Sequence, residues 1–187
     1  HAVSLTPIQV DDSAVVVGAG MIGLFVIQVL KLAGCGTIIA IDLDDDRLAL
    51  AQKLGATHTI NAKSDNVPAQ VQALTHGRGA DVSFEVVGAG PTVKTAIDCV
   101  RKGATVTLVG NLAPTVEMPL QAVVTRQLRL QGSCAINGEA RIQYSDLIIC
   151  PFVRCSGPQA EATITILSGQ LLELTTDQRV TQYVAIR

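Results

Sequence analysis

The chain has 187 residues, of which 48% are hydrophobic and 16% are charged, and its formal net charge is −2. This balance gives no electrostatic attraction to nucleic acid or to an anionic membrane, and 3% aromatic residues without Trp leave few surfaces for stacking bases. The five cysteines include no CxxC pair, which favours reduced thiols in a cytoplasmic protein over a disulfide framework. We expect no nucleic-acid partner.

Short β-branched runs alternate with longer helical patterns along most of the chain. In chain order they predict strand 14–18, helix 21–34, strand 37–42, helix 44–55, strand 57–60, helix 65–77, strand 80–88, helix 90–103, strand 104–110, helix 120–127 and strand 128–135. Elements that alternate in this way are typical of an α/β fold, a doubly wound parallel sheet with helices on both faces. We assign residues 1–139 to this domain.

The pattern is weaker after residue 139. The segment 160–176, AEATITILSGQLLELTT, is compatible with a helix, a Ser-Gly stop and a strand. Residues 140–187 are expected to belong to the same domain, and the sequence does not predict their course.

The stretch from Val15 to Asp42 also allows a membrane-spanning helix that packs through Ala19 and Gly23. However, the uncharged run before Lys31 is shorter than the about 20 residues that a spanning helix needs. A longer span would place Lys31 inside the bilayer, at a cost of about 2.5–3.5 kcal/mol. The sequence therefore favours a strand, a turn, a helix and a second strand, and we expect no membrane partner.

Residues 18–23, GAGMIG, match the GxGxxG pattern and lie between a predicted strand and a predicted helix. Gly18 would form the tight turn, Gly20 would let the backbone approach a pyrophosphate, and Gly23 would let the helix pack closely on the sheet. The first N–H groups of that helix would bind the phosphates. Asp42, at the end of the next strand, is placed to accept hydrogen bonds from the adenosine ribose. This combination predicts a Rossmann fold that binds a dinucleotide.

The type of dinucleotide is indicated by Asp42. A carboxylate that accepts a hydrogen bond from the ribose 2′-OH would repel the 2′-phosphate of NADP, and Arg47 alone would not offset that repulsion. The acids at 44–46 are interpreted as the solvated start of a helix, where acids are common. The sequence therefore favours NAD.

Three segments occur in an order and spacing that resemble a known family. They are VVVGAGMIGLFVIQVLKLAGCGTIIAIDLDDDRLALAQKLGATHTIN, GADVSFEVVG and VRKGATVTLVG. They resemble the cofactor-binding domain of the medium-chain zinc-type alcohol and polyol dehydrogenases over about residues 1–139. GAGMIG together with Asp42 is more similar to the sorbitol and polyol branch than to the NADP-linked quinone reductases. The resemblance implies a parent enzyme that oxidises a secondary alcohol or polyol by hydride transfer to NAD.

The resemblance also implies which residues bind the cofactor. Those expected at the pyrophosphate are Gly18, Gly20, Met21, Ile22 and Gly23. Those expected at the adenosine are Asp42 and Arg47 on the ribose and Leu43 beside the adenine. Val86, Val87 and Gly88 would border the adenosine and nicotinamide ribose side. Val109, Gly110 and Asn111 would approach the nicotinamide, and Ser133, Cys134 and Ala135 would offer backbone groups to its carboxamide. The valines at 86, 87 and 109 can also be interpreted as ordinary sheet core.

Several family features lie outside this chain. The resemblance implies that the catalytic zinc and most of the alcohol or polyol pocket belong to a preceding domain, so we expect zinc only in that part of the parent. By itself the chain would bind cofactor without turning over substrate, and with His1 at its start it is interpreted as a piece of a longer protein. An edge strand at 128–135 would pair with its twin and form a homodimer. Two alternatives remain open: a stand-alone NAD(H)-sensing module without catalysis, and the domain of an NADP-linked, zinc-free reductase.

Overall fold

The computed structural model describes residues 1–63 and 66–134 in full, together with the backbone of residues 140–142, 162–167, 171–176 and 182–185. The chain divides into two compact units, His1–Cys134 and Ala135–Arg187. The first unit contains every described residue of the predicted cofactor site. The expectation that residues 140–187 belong to the same domain stays a prediction.

The first unit is a six-stranded sheet with helices between its strands. Its elements are β1 Ser13–Val17, α1 Met21–Leu32, β2 Thr37–Asp42, α2 Asp45–Leu54, β3 His58–Asn61, α3 Val67–Leu74, β4 Ala80–Glu85, α4 Gly90–Asp98, β5 Val100–Leu108, α5 Leu120–Thr125 and β6 Arg129–Gly132. The strand order is β3-β2-β1-β4-β5-β6, and every neighbouring pair is parallel. This order, with the reversal between β1 and β4, confirms the predicted doubly wound Rossmann fold.

The strand β1 explains why both faces of the sheet are covered. Its side chains alternate between the two faces, as in any strand. Ala14 and Val16 pack in one buried cluster with residues of α1 and α2, whereas Val15 and Val17 pack in a second cluster with residues of α3 and α4. Burial of each Val side chain contributes about 1.5–3 kcal/mol to the stability of the fold, relative to leaving it exposed. β1, whose residues 14–17 are all apolar, is therefore the central strand of a two-sided core.

The helix ends follow local chemistry. The Asp44 carboxylate caps α2 by accepting hydrogen bonds from Asp46 N and Arg47 N, at 2.9 Å and 3.4 Å. Asn66 caps α3 through its side-chain oxygen, which accepts the Ala69 N–H at 3.3 Å. Such caps satisfy N–H groups that have no partner within the helix.

The helix predicted over 90–103 is too long. In the structure α4 ends at Asp98, and β5 begins at Val100. Val100 pairs with Ala80, and the register then shifts so that Thr105 pairs with Val82. The extra residues form an irregular stretch around Gly103, whose φ is +77°. Pairing with the buried strand β4 thus overrides the local helical pattern, and Gly103 marks a bulge rather than a helix end.

The second unit contains β7 Ala140–Ile142, β8 Ala162–Leu167, β9 Leu171–Thr176 and β10 Gln182–Ala185. These strands form an antiparallel sheet in the order β10-β9-β8-β7. The helix expected at the start of 160–176 is wrong, because that segment forms β8. Its alternating Thr and Ile residues are β-branched, and such residues favour strands over helices.

The stretch from Val15 to Asp42 forms most of β1, a turn, α1 and β2. In the part of the chain that the structure describes, no helix combines the length and the apolar content needed to cross a bilayer.

Candidate functional site

The predicted site residues lie at one edge of the sheet. Those at 18–23 follow β1, those at 42–47 begin at the last residue of β2, those at 86–88 follow β4 and those at 109–111 follow β5. Because the strands are parallel, their carboxyl ends share one edge. The reversal of strand order between β1 and β4 opens a crevice there, which is the usual ligand position in open α/β sheets.

The glycine turn joins β1 to α1. Gly18 has a φ of +103°, which disfavours other residues, and its N–H donates to Ile41 O at 2.8 Å. A Cβ on Gly23 would overlap the Gly18 carbonyl oxygen, so only Gly lets α1 begin this close to the turn. A Cβ on Gly20 would meet no heavy atom within 4 Å. The space beside Gly20 is therefore open, as a bound ligand would require.

The first turn of α1 is suited to an anion. Gly20 is its N-cap and provides no side chain, and the turn contains no acid. Its first N–H groups and the positive end of the helix dipole therefore remain available to a negatively charged group. Met21 and Ile22, the next two residues, are 49% and 45% exposed.

Asp42 connects β2 to the glycine turn. Its Oδ2 accepts the Ala19 N–H at 2.6 Å, and its Oδ1 accepts the N–H groups of Leu43 and Asp44 at 2.8 Å and 3.1 Å. The side chain is only 9% exposed, and Arg47 Nη1 lies 3.9 Å from Oδ2. The carboxylate is thus fixed beside the turn rather than directed into solvent.

An open depression of about 500 Å³ extends from Asp42 along the start of α2. Its lining residues are Asp42, Leu43, Asp44, Asp45, Asp46, Arg47 and Lys63. Leu43 is 56% exposed and gives this mostly charged surface an apolar side. Lys63 was not predicted as a site residue, because it lies 21 residues beyond Asp42 in the chain. The pairing of Asp42 with Asn61 across β2 and β3 brings it here.

The loops after β4 and β5 pack backbone against backbone. A Cβ on Gly88 would overlap Asn111 N, and a Cβ on Gly110 would overlap Gly88 N. The first of these loops also contacts the glycine turn, since Val87 Cγ2 would lie 2.7 Å from a Cβ on Gly18. The structure therefore brings the predicted residues of β1, β4 and β5 into one continuous wall.

The three predicted valines are neither fully buried nor fully exposed. Val86, Val87 and Val109 are partly buried, and Val86 and Val109 pack against the core cluster beside α1. Val86 and Val109 thus contribute to the core, and all three valines keep a partly accessible face. Asn111 is exposed.

The end of β6 is the last part of the predicted site. The Ser133 N–H donates to Leu108 O at 2.9 Å, which holds the chain beside β5. Cys134 is exposed and has a free thiol. The predicted residue Ala135 lies outside the described residues.

Two residues that lie behind this wall, Glu85 and Thr92, were not predicted from the sequence. The Glu85 side chain is fully buried, and its carboxylate accepts the N–H groups of Val87 and Gly88. The Thr92 hydroxyl lies 2.7 Å from Glu85 Oε1. The available signal was an acid within the apolar run SFEVVG, because a buried acid must find hydrogen-bond donors.

The described side chains form no evident metal site. Over residues 1–63 and 66–134, no three His, Cys, Asp or Glu side chains are grouped as metal ligands would be. Burial raises the pKa of the Cys99 thiol to about 12. Burial, with smaller contributions from Asp12 and Asp81, raises that of Cys35 to about 11. Both thiols are protonated near neutral pH, and a protonated thiol is a poor metal ligand.

Comparison with known proteins identifies the family. Residues 22–149 match the family model described as zinc-binding dehydrogenase. The chain belongs to the zinc-binding dehydrogenase family. This match confirms the resemblance to zinc-type alcohol and polyol dehydrogenases, and it includes β2 and its Asp42.

Three relatives of this zinc-binding dehydrogenase chain illustrate the match. Sorbitol dehydrogenase of Bacillus subtilis (strain 168) is 36% identical over 120 residues, which are 64% of this chain and 34% of that protein. D-xylulose reductase of Saccharomyces cerevisiae is 32% identical over 136 residues, 71% of this chain and 38% of that protein. The crystal structure of 2R,3R-butanediol dehydrogenase from Bacillus subtilis is 32% identical, with a TM-score of 0.67 over 71% of this chain and 38% of that one. The chain thus spans little more than a third of each relative.

Proposed function

We propose that this chain is the NAD(H)-binding part of a zinc-dependent medium-chain dehydrogenase that oxidises a secondary alcohol or polyol by hydride transfer. Family membership and relatives named for sorbitol, xylulose and butanediol support the reaction class. The observation that carries the cofactor proposal is the position of Asp42, whose Oδ2 accepts the Ala19 N–H at 2.6 Å. A carboxylate this close to the glycine turn can reach the ribose of a dinucleotide whose pyrophosphate contacts the same turn.

In this proposal each part of the crevice wall binds one part of NAD. The open space beside Gly20 takes the pyrophosphate, and the free N–H groups of α1 stabilise its charge. Asp42 and Arg47 hold the adenosine ribose, with Leu43 beside the adenine. The loop at 86–88 borders the adenosine and nicotinamide ribose side, and the loop at 109–111 approaches the nicotinamide. The backbone at Ser133 and Cys134 serves its carboxamide.

The bound nicotinamide supplies the hydride acceptor. This chain positions and shields it, and its described residues offer no grouped ligands for zinc. In the proposal the zinc and the alcohol or polyol pocket therefore belong to the rest of the parent protein, as the partial coverage of the relatives allows. The chain alone would bind cofactor without oxidising substrate.

The first test is a titration of the chain with NADH and with NADPH. We expect NADH to bind at least about tenfold more tightly, because the 2′-phosphate of NADPH would face the carboxylate of Asp42. Cofactor fluorescence measures both dissociation constants, and the chain contains no Trp to interfere. Tighter binding of NADPH would instead support the alternative of a zinc-free, NADP-linked reductase.

We further propose a homodimer through residues 128–135. In the described part of the chain β6 pairs with β5 alone, so its outer edge is open. The Ser133 N–H points to β5, and the N–H groups alternate along a strand, so the N–H of Gly132 points outward. A Cβ at Gly132 would meet nothing within 4 Å, which leaves room for substitutions.

A Gly132→Pro variant tests this interface. We expect the chain to be dimeric in sedimentation experiments and the Pro variant to be monomeric, since Pro removes the outward N–H from the edge. Gly132→Ala is the matched control because it keeps the N–H, and it should remain dimeric. A Pro variant that dimerises like the Ala variant would place any interface elsewhere.

A further inference from the structure

Glu85 is a buried charge that the proposed function does not use. It is the last residue of β4, and no other acid in the described ranges has a side chain so completely buried, with 0% exposed. Its Oε1 accepts Val87 N at 2.9 Å and Gly88 N at 2.8 Å, and its Oε2 accepts Gly88 N at 3.0 Å. The Thr92 hydroxyl lies 2.7 Å from Oε1. These neighbours are hydrogen-bond donors, and an ionised carboxylate can accept hydrogen bonds at both of its oxygens.

In the part of the chain whose side chains the structure describes, no cation neutralises the charge of Glu85. Asp81, the other buried acid of β4, forms ion pairs with Arg101 and Arg78 at 2.6 Å and 3.8 Å. No ion pair of Glu85 is found within residues 1–63 and 66–134. Among these residues, the groups that stabilise its carboxylate are neutral N–H and O–H dipoles. The electric field of the carboxylate is therefore only weakly screened by its surroundings, and it extends as far as a neighbouring loop.

Glu85 also lies between the loop at 86–88, which borders the nicotinamide ribose in the proposed function, and the loop at 109–111, which approaches the nicotinamide. Its carboxylate holds the loop of Val87 and Gly88, and its carbonyl oxygen accepts Val109 N and Gly110 N at 2.8 Å and 3.0 Å. The nicotinamide ring of NAD⁺ carries a positive charge, whereas that of NADH is neutral. A buried negative charge behind this wall therefore attracts the ring of NAD⁺ and has little effect on the ring of NADH.

We infer that the buried carboxylate of Glu85 biases the site toward oxidised cofactor, so that NAD⁺ binds more tightly relative to NADH than it would without that charge. This inference rests on the proposed function. A unit charge across a neighbouring loop changes the affinity for a charged ligand by about tenfold. Glu85 would then be a specificity-determining residue that favours the substrate form of the cofactor over its product form.

The geometry offers a variant that removes the charge and keeps the shape. In Glu85→Gln the amide oxygen can occupy the position of Oε1, which accepts the shortest bonds from Val87, Gly88 and Thr92. The NH₂ group then replaces Oε2, which accepts only the second, 3.0 Å bond from Gly88. Thr92→Val is the complementary variant, because it keeps the charge and removes a nearby hydroxyl.

The experiment measures NADH affinity by fluorescence and NAD⁺ affinity by competition, in the 187-residue chain and in both variants. Glu85→Gln should weaken NAD⁺ binding about tenfold while NADH binding changes by less than about threefold. Thr92→Val should shift the ratio the other way, about two- to threefold toward NAD⁺, since it leaves the charge less compensated. This second variant decides the question if the Gln variant does not fold.

A variant that weakens both cofactors by the same factor would show that Glu85 only supports the loop, and it would overturn the inference. If either folded variant left the ratio of NAD⁺ affinity to NADH affinity unchanged, that result would overturn the inference as well. Failure of the proposed function would give a different result, because the unsubstituted chain would then bind neither NAD⁺ nor NADH. That result is obtained before any variant is compared.

Discussion

Replacement of Asp42 by Ala is expected to weaken NADH binding about ten- to a hundredfold. In the proposed complex its charge-assisted hydrogen bonds to the ribose contribute about 1.5–3 kcal/mol, and about 1.4 kcal/mol corresponds to a factor of ten. The same change removes the charge that would repel a 2′-phosphate, so NADPH should lose less affinity than NADH. Parallel fluorescence titrations with the two cofactors measure both effects.

Two matched variants separate the ribose contact from other roles of this carboxylate. Asp46 lines the same depression, so Asp46→Ala removes an equal charge, and NADH affinity should change by less than about threefold because exposed charges are screened. Asp42→Asn keeps an oxygen that can accept the Ala19 N–H and preserves the turn. An NADH affinity in Asp42→Ala equal to that of the unsubstituted chain would mean that the ribose lies elsewhere.

The fold of the first unit could be predicted because its signals are local. The apolar run of β1, the GAGMIG turn and Asp42 at the end of β2 follow one another within thirty residues, and each has a single good structural explanation. The caps at Asp44 and Asn66 are likewise determined by neighbours in the chain. In these places local preference and tertiary packing agree.

Two of the errors occurred where residues distant in the chain determine the structure. The pattern at 90–103 is locally helical, but the pairing of Val100 with Ala80 makes its end a strand. Lys63 reaches the depression only because β3 pairs with β2. The role of Glu85 depends on Thr92, which is placed by the start of α4. The pairings of β5 with β4 and of β3 with β2 have no signature in a short window of sequence, whereas the acid within SFEVVG was a local signal for Glu85.

The second large effect is expected at the glycine turn, where two substitutions should have different consequences. A Cβ on Gly23 would overlap the backbone oxygen of Gly18, which cannot move aside like a flexible side chain. Gly23→Ala should therefore reduce the free energy of unfolding by about 1–3 kcal/mol and lower the Tm by about 2–12 °C. It should also weaken NADH binding, because the first N–H groups of α1 move away from the pyrophosphate.

Gly20→Ala serves as the matched variant, since its Cβ would meet no protein atom within 4 Å and its φ of −71° suits Ala. Its stability should fall by no more than about 1 kcal/mol, the usual difference between Gly and Ala at an N-cap. Its NADH affinity should nevertheless fall about tenfold or more, because the methyl group would occupy the space assigned to the pyrophosphate. Thermal melts and NADH titrations of both variants separate the two effects. Unimpaired NADH binding by Gly20→Ala would show that the pyrophosphate does not approach this turn, since a methyl group in open space can act only on a ligand.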